Sequence, residues 1–152
     1  MDASPMSSTH LSLHYHLIFG TKHHEAVIAP QWRDRLHSYI GGTIRSLDGI
    51  PEIVGGVSDH VHILAGLRAT HSLADVLRQI KSSSSRWVHD ETGLRGFAWQ
   101  EGYGAFTVSA SQCETVRRYI AGQEEHHRTK TFREEYLEFL EKSGVSFDER
   151  FV

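Results

Sequence analysis

A chain of 152 residues with 39% hydrophobic and 23% charged residues has the size of one domain, able to bury a core without disulfides or structural metal. Its single cysteine excludes an internal disulfide and a multi-cysteine zinc site, and no apolar run approaches the roughly 18–20 residues a membrane helix needs. The formal net charge of −3 excludes a uniformly basic nucleic-acid binder. The balance is uneven, however: residues 1–123 carry 11 Lys/Arg and 11 Asp/Glu, and the deficit lies beyond them, with 5 basic and 8 acidic residues. A neutral body leaves room for a local basic face, for which Arg78, Lys81, Arg86, Arg117 and Arg118 are candidates.

Met1 to Thr9 is small and polar and is expected to be a disordered lead, lacking the basic start and apolar stretch of a secretion signal; a cytoplasmic protein is expected. Leu11 to Lys22 alternates, with Leu11, Leu13, Tyr15, Leu17 and Phe19 on one face, and predicts a half-buried strand. Pro30 opens an amphipathic helix over Gln31 to Leu47, its stripe running through Trp32, Leu36, Ile40 and Ile44, with Gly41 and Gly42 either weakening it or permitting close packing. Ile53 to Val57 and His60 to Leu67, parted by Ser58 and Asp59, predict a hairpin. Ser72 with Asp75 resembles a capping box, and Leu73, Val76, Leu77, Ile80, Ser84, Trp87 and Val88 trace a helix to about His89. Phe97 to Ser109, aromatic and broken by glycines, predicts one strand or two short ones. A third helix is expected from Ser111 and Glu114 to about His127, and a fourth from Thr131 and Glu134, closed by Gly144.

The order β-α-β-β-α-β-α-α implies an α+β, ferredoxin-like (split βαβ) fold: an antiparallel sheet with two helices on one face. The other face is left for a third helix, a ligand or a second subunit. One domain is expected over residues 1–152, with residues 131–152 as a C-terminal helix and arm.

Chemistry concentrates in two places. In the run Asp59-His60-Val61-His62, residues two apart on a strand point to one face, so two imidazoles project side by side and can grip one divalent metal. The plainer reading is a pair of polar residues on the solvated side of an amphipathic strand, and a third ligand is needed to displace it. The third helix supplies candidates: Tyr119, Gln123 and His127 are spaced by four and share a face. Gln123 offers a carbonyl oxygen, His127 an imidazole, and Tyr119 a phenol able to attack phosphorus. Alone, this helix reads more simply as a tyrosine rimming an apolar stripe of Cys113, Val116 and Ile120 beside a solvated glutamine. Asp59 reads most simply as a turn residue. Lys22, His23 and His24 are candidates to line a groove, and Trp99, Tyr103 and Phe106 to stack on unpaired bases, although core or interface packing explains most of these aromatics equally well.

Taken together, the segments HYHLIFGTKHH, VGGVSDHVHILAGL, SLADVLRQIKSSSSRW, FAWQEGYGAFTVS and VRRYIAGQEEHH resemble the single-tyrosine HUH transposases of small bacterial insertion sequences, the insertion-sequence-200 type, over nearly the whole chain. The resemblance implies a metal-dependent enzyme that cleaves and rejoins single-stranded DNA. His60, His62 and Gln123 would hold Mg²⁺ or Mn²⁺, and Tyr119 would be the nucleophile, leaving a 5′-phosphotyrosine and a free 3′-hydroxyl. It further implies a homodimer that recognises DNA hairpins, commonly with the tyrosine helix lent by the partner subunit. On ligand type alone His127 could replace Gln123, and Zn²⁺ would also be accepted. Arg78, Lys81, Arg86, Arg117 and Arg118 are the candidate DNA contacts. Two other readings stand beside this one: an HUH nickase of the replication-initiator or relaxase kind, and a non-catalytic single-stranded nucleic-acid-binding module on the same sheet.

Overall fold

The computed structural model describes residues 8–152, so most of the lead expected over residues 1–9 lies outside the described residues. Four strands form one antiparallel sheet in the order β2-β3-β1-β4: β1 (His14–Gly20), β2 (Ile50–Gly56), β3 (His60–Gly66) and β4 (Gly104–Val108). With α1 (Pro30–Ser46) between β1 and β2, and α2 (Leu73–Thr92) between β3 and β4, this is the ferredoxin-like arrangement the sequence predicts. No helix among the described residues is long and apolar enough to cross a membrane.

The layer under α1 and α2 is the main core. Leu17 and Phe19 of β1 and Val61, Ile63 and Ala65 of β3 meet Trp32, Leu36, Ile40 and Ile44 of α1 and Val76, Leu77, Ile80 and Val88 of α2. Pro30 starts α1 at its first turn, where its missing N–H costs nothing. Gly41 is buried and faces Pro51 at ordinary contact distance, whereas Gly42 is exposed and meets nothing, so the pair is not required by close packing. Ser72 caps α2 by accepting from the Asp75 N–H, and Gly93, at φ 76°, closes it.

The second sheet face is not left open. Ile18 packs against Phe132, Tyr136 and Leu140 of α5 (Phe132–Lys142), and α3 (Cys113–Ala121) lies across β2 and β3. β3 is therefore buried at every position, because it is an inner strand covered on both faces. Burial on both faces also corrects the half-buried reading of β1, where His16 and Ile18 are as deeply buried as Leu17 and Phe19.

The aromatic segment yields one strand, β4, one of the two outcomes expected, preceded by a single bridge from Trp99 to Thr21. Two further expectations change, both in the third helix. The third helix does not run unbroken to His127: Gly122 interrupts it, giving α3 and a short α4 (Gln123–His126). Its start is a 3-10 turn over Ala110–Gln112, with no cap bond from Ser111 to the Glu114 backbone. The fourth helix keeps the full capping box of Thr131 and Glu134.

Candidate functional site

The site sits between the sheet and the layer made by α3, α4 and α5. His60 and His62 project from β3 to that side and are wholly buried, so the plainer reading of a solvated strand face is set aside. Each of their outward nitrogens is engaged. His60 Nδ1 lies 2.7 Å from Asp59 Oδ1, and His62 Nδ1 lies 2.8 Å from His16 Nε2. A ring held in this way at Nδ1 presents Nε2 inward, the usual arrangement behind a metal-binding imidazole. Asp59 is thus more than a turn residue. Phe132 stacks on His60 at 4.2 Å and 7°, fixing the ring plane.

The broken helix still delivers all three of its expected residues. Gln123 is buried, with Oε1 3.0 Å from His60 Nε2. His127 turns Nδ1 to the Lys130 carbonyl at 2.6 Å, and its ring centroid lies 4.5 Å from that of His60. Tyr119 stands edge-on to His62, centroids 5.6 Å apart, so within one chain the tyrosine reaches that chain's own histidines.

Sequence reasoning missed the residue at the centre. Glu135 of α5 is 1% exposed, and its two oxygens face different partners. Oε1 lies 3.0 Å from His62 Nε2, 3.2 Å from His127 Nε2 and 3.4 Å from His60 Nε2. Oε2 accepts a short hydrogen bond from the Tyr119 hydroxyl and another from Gln123 Nε2 at 3.2 Å. A signal for it existed: α5 buries Phe132, Tyr136 and Leu140, and Glu135 occupies the same helical face.

The protonation states follow from burial against neighbours. Burial alone would raise the Glu135 carboxyl, but the imidazoles of His127, His60 and His62 outweigh it and hold the group far below the usual carboxylate range. Burial favours neutral His60, yet its bonds to Asp59, Glu135 and Gln123 together raise it to about 9. Burial lowers His62 to about 4 and, with help from His62, His16 to about 3. Tyr119 is pushed well above its ordinary value by burial and by Glu135, so without a cation its phenol stays protonated.

The residues present fit a divalent metal. His60, His62, His127 and Glu135 each offer one ligand atom, all within 4.8 Å of one another. His127 Nε2 is buried and, although 3.2 Å from Glu135 Oε1, makes no well-formed hydrogen bond, which suits it to turn to an ion.

The position of Tyr119 depends on close helix–strand contact. A Cβ added at Gly55 of β2 would stand 2.8 Å from the Ile120 carbonyl oxygen and 2.9 Å from its Cγ2. Gly55→Ala is therefore expected to cost about 1–3 kcal/mol of stability and to displace α3. Thermal melting together with DNA cleavage should both fall, and a variant unchanged in both would show that this contact does not set the tyrosine.

Of the basic candidates, only Arg117 and Arg118 lie on the layer that covers the site. Arg78, Lys81 and Arg86 lie on α2, which covers the opposite sheet face. Arg78 pairs with Asp75 at 2.8 Å, and Lys81 donates to the carbonyls of Gln100, Glu101 and Gly102. Arg117 of α3 donates to the Glu52 carbonyl, tying the helix to β2, and Arg118 beside it is exposed. Trp99 is in the core, its indole N–H bonded to Ser84 Oγ at 2.9 Å, so it is no stacking platform. Phe106 packs toward α5, and Tyr103 is exposed. Lys22, His23 and His24 form a 3-10 turn; the first two line a pocket with Phe97, and His24 packs edge-on to Phe132.

Compared with known proteins, residues 9–123 match the family described as Transposase IS200 like. The chain belongs to the IS200-like transposase family. It is 27% identical over 118 residues to the ISDra2 transposase TnpA of Deinococcus radiodurans, covering 73% of this chain and 84% of that protein. A crystal structure assigned as a transposase from the same organism superposes with a TM-score of 0.64 at 23% identity, over 81% of this chain and 98% of the other. A REP-associated tyrosine transposase bound to a REP hairpin aligns with a TM-score of 0.51 at 13% identity, over 76% of this chain and 68% of that one. These structures share the fold, and the family makes DNA strand cleavage and transfer the expected class of activity. The family match ends at Gln123, so His127 and Glu135 lie beyond it.

Proposed function

We propose that this transposase cleaves and rejoins single-stranded DNA at insertion-sequence ends through a 5′-phosphotyrosine on Tyr119, with a divalent metal, Mg²⁺ or Mn²⁺, at His60, His62 and Gln123. One observation carries the reading: the Tyr119 hydroxyl and the inward nitrogens of His60 and His62 are joined within one chain by Glu135 and Gln123. A metal bound there supplies Lewis acidity, polarising the scissile phosphate and favouring the ionised phenol.

The chain's own groups account for the rest. Tyr119 Oη attacks phosphorus, forming the tyrosine–phosphate bond as the bond from phosphorus to the 3′ oxygen breaks. The phenol's proton leaves along its hydrogen bond to Glu135 Oε2, and the departing 3′ oxygen is released as a hydroxyl after taking up a proton. In the reverse sense, a 3′-hydroxyl attacks the phosphotyrosine and rejoins strands with no net loss of a phosphodiester bond. Asp59 and His16 hold the two imidazoles in position.

The DNA partner in this reading is a single strand with hairpin ends, in keeping with the REP hairpin bound by the structural neighbour, and the working form is a homodimer. The nearness of Tyr119 to its own chain's His62 supports a subunit that uses its own nucleophile. Arg117 and Arg118, which directly precede the tyrosine on α3, are the basic residues best placed to meet the phosphate backbone.

The test is a denaturing gel of the protein with labelled single strands from both DNA flanks of its gene. A covalent protein–DNA band that forms with Mn²⁺ or Mg²⁺ and disappears with a chelator is expected. Binding to intact hairpin ends with no adduct would replace the reading with a non-catalytic binding module, and nicking without strand joining with an initiator-type nickase.

A further inference from the structure

The arrangement of α4 and α5 points to a larger ligand set than the histidine pair and glutamine: we infer that Glu135 and His127 are themselves metal ligands, completing with His60 and His62 a site for a first-row transition ion such as Mn²⁺ or Zn²⁺ in preference to Mg²⁺. This rests on the metal-centre reading above and deepens it, with Gln123 holding Glu135 Oε2 instead of binding the metal itself.

The argument begins with His127. Its Nδ1 faces a backbone carbonyl, which can only accept, so that nitrogen carries a proton and Nε2 is the nitrogen turned inward as the ligand atom. That nitrogen is buried and lies 3.2 Å from Glu135 Oε1, without the alignment of a well-formed hydrogen bond. A single cation between them would be held by both. His62 Nε2 and His60 Nε2 converge on the same oxygen from other directions, at 3.0 and 3.4 Å.

The spacing itself is that of a coordination shell. Ligand atoms about 2.1 Å from one ion stand about 3.0 Å apart at right angles and about 3.4 Å apart at tetrahedral angles. The three Oε1–Nε2 distances, 3.0, 3.2 and 3.4 Å, span that interval. The second carboxylate oxygen is held by Tyr119 and Gln123, which orients Oε1 inward just as Asp59, His16 and the Lys130 carbonyl orient the imidazoles. Three imidazoles and one carboxylate favour Mn²⁺, Co²⁺ or Zn²⁺, whereas Mg²⁺ prefers oxygen ligands and retained water. In a six-coordinate ion, four protein ligands still leave positions for a phosphate oxygen. Glu135 would then touch both the metal and the nucleophile, linking them through one side chain.

The test measures metal binding by the full chain. Calorimetric titration with Mn²⁺ should show binding at least about tenfold weaker in Glu135→Gln and in His127→Ala. Mg²⁺ should bind the unaltered protein more weakly than Mn²⁺. Melting of the metal-free variants checks that the fold persists. Pulsed electron paramagnetic resonance of bound Mn²⁺ needs no variant and should count three imidazole nitrogens. Two imidazoles, or wild-type affinity in both variants while His62→Ala loses binding, would overturn the inference and leave the smaller ligand set standing. Wild-type affinity in His62→Ala, or no metal binding by the unaltered protein, would overturn the metal-centre reading itself.

Discussion

Tyr119→Phe is expected to abolish the covalent protein–DNA adduct and to lower strand cleavage by at least about 10⁴-fold, the scale of loss when a nucleophile is removed. The ring stays: Phe keeps the edge contacts of Tyr119 with His62, His16 and Phe139, and only the hydroxyl, with its bond to Glu135, is lost. Metal and hairpin binding should therefore survive, and the melting temperature should fall moderately. Removing a hydrogen bond to a charged carboxylate costs about 1.5–3 kcal/mol, and Glu135 keeps its bond from Gln123. The check is a side-by-side measurement of adduct formation, DNA affinity and melting. An adduct of normal yield in Tyr119→Phe would move the nucleophile to another residue.

The second large effect is loss of the metal-free fold in mild acid. Burial lowers His16 to about 3, and His37 and His62 to about 4. The unfolded chain takes up those protons near pH 6.5, while the folded chain refuses them until pH 3–4. Stability therefore falls as pH drops from about 6.5 toward 4, by on the order of 5–10 kcal/mol for the three rings together. That is comparable with the whole stability of an ordinary domain. His60 works in the other sense but does not rescue the protein. Its raised value gives a contribution fully present below about pH 6.5 and lost as pH rises through about 9, so it is constant across the acid window. Glu135, held far below its ordinary value, adds to the loss below about pH 4.5. Denaturant midpoints measured from pH 7 to pH 4 with a chelator present should fall steeply. A flat profile would mean the buried rings accept protons inside the fold.

The parts of this molecule that were legible in its sequence are those governed by a period. The stripe in α1, the capped stripe in α2 and the alternation around His60, Val61 and His62 each announce their element and its inward face. Tyr119, Gln123 and His127 were legible as a spacing of four, and they converge even though Gly122 breaks the helix, because α4 resumes at once. Glu135 was obscured by company: in the run Glu134-Glu135-Tyr136-Leu137-Glu138 it reads as one more solvated charge, and only its place between Phe132 and Tyr136 on the buried face sets it apart. Asp59 and His16 were hidden for another reason. Their part is played through the nitrogen of a ring elsewhere, and pairing across strands is set by register rather than by local pattern. The placement of the basic residues was equally beyond reach, since charge specifies exposure but not which layer a helix joins.

The chain separation within this site bears on how the protein comes into being. His62 and Glu135 are 73 residues apart in sequence, and the innermost strand β1 pairs His14 with Val108. Contacts of such long range form late, after the local hairpin and helices. On a ribosome, which releases the chain from its first residue onward, the β2–β3 hairpin can close while α5 is still unmade. Until α3 and then α5 emerge, His60 and His62 lie on a sheet face that is first bare and then only partly covered. The cluster therefore comes together only near the end of synthesis, and a growing chain stopped before Glu135 carries the nucleophile and the histidine pair without the carboxylate that joins them.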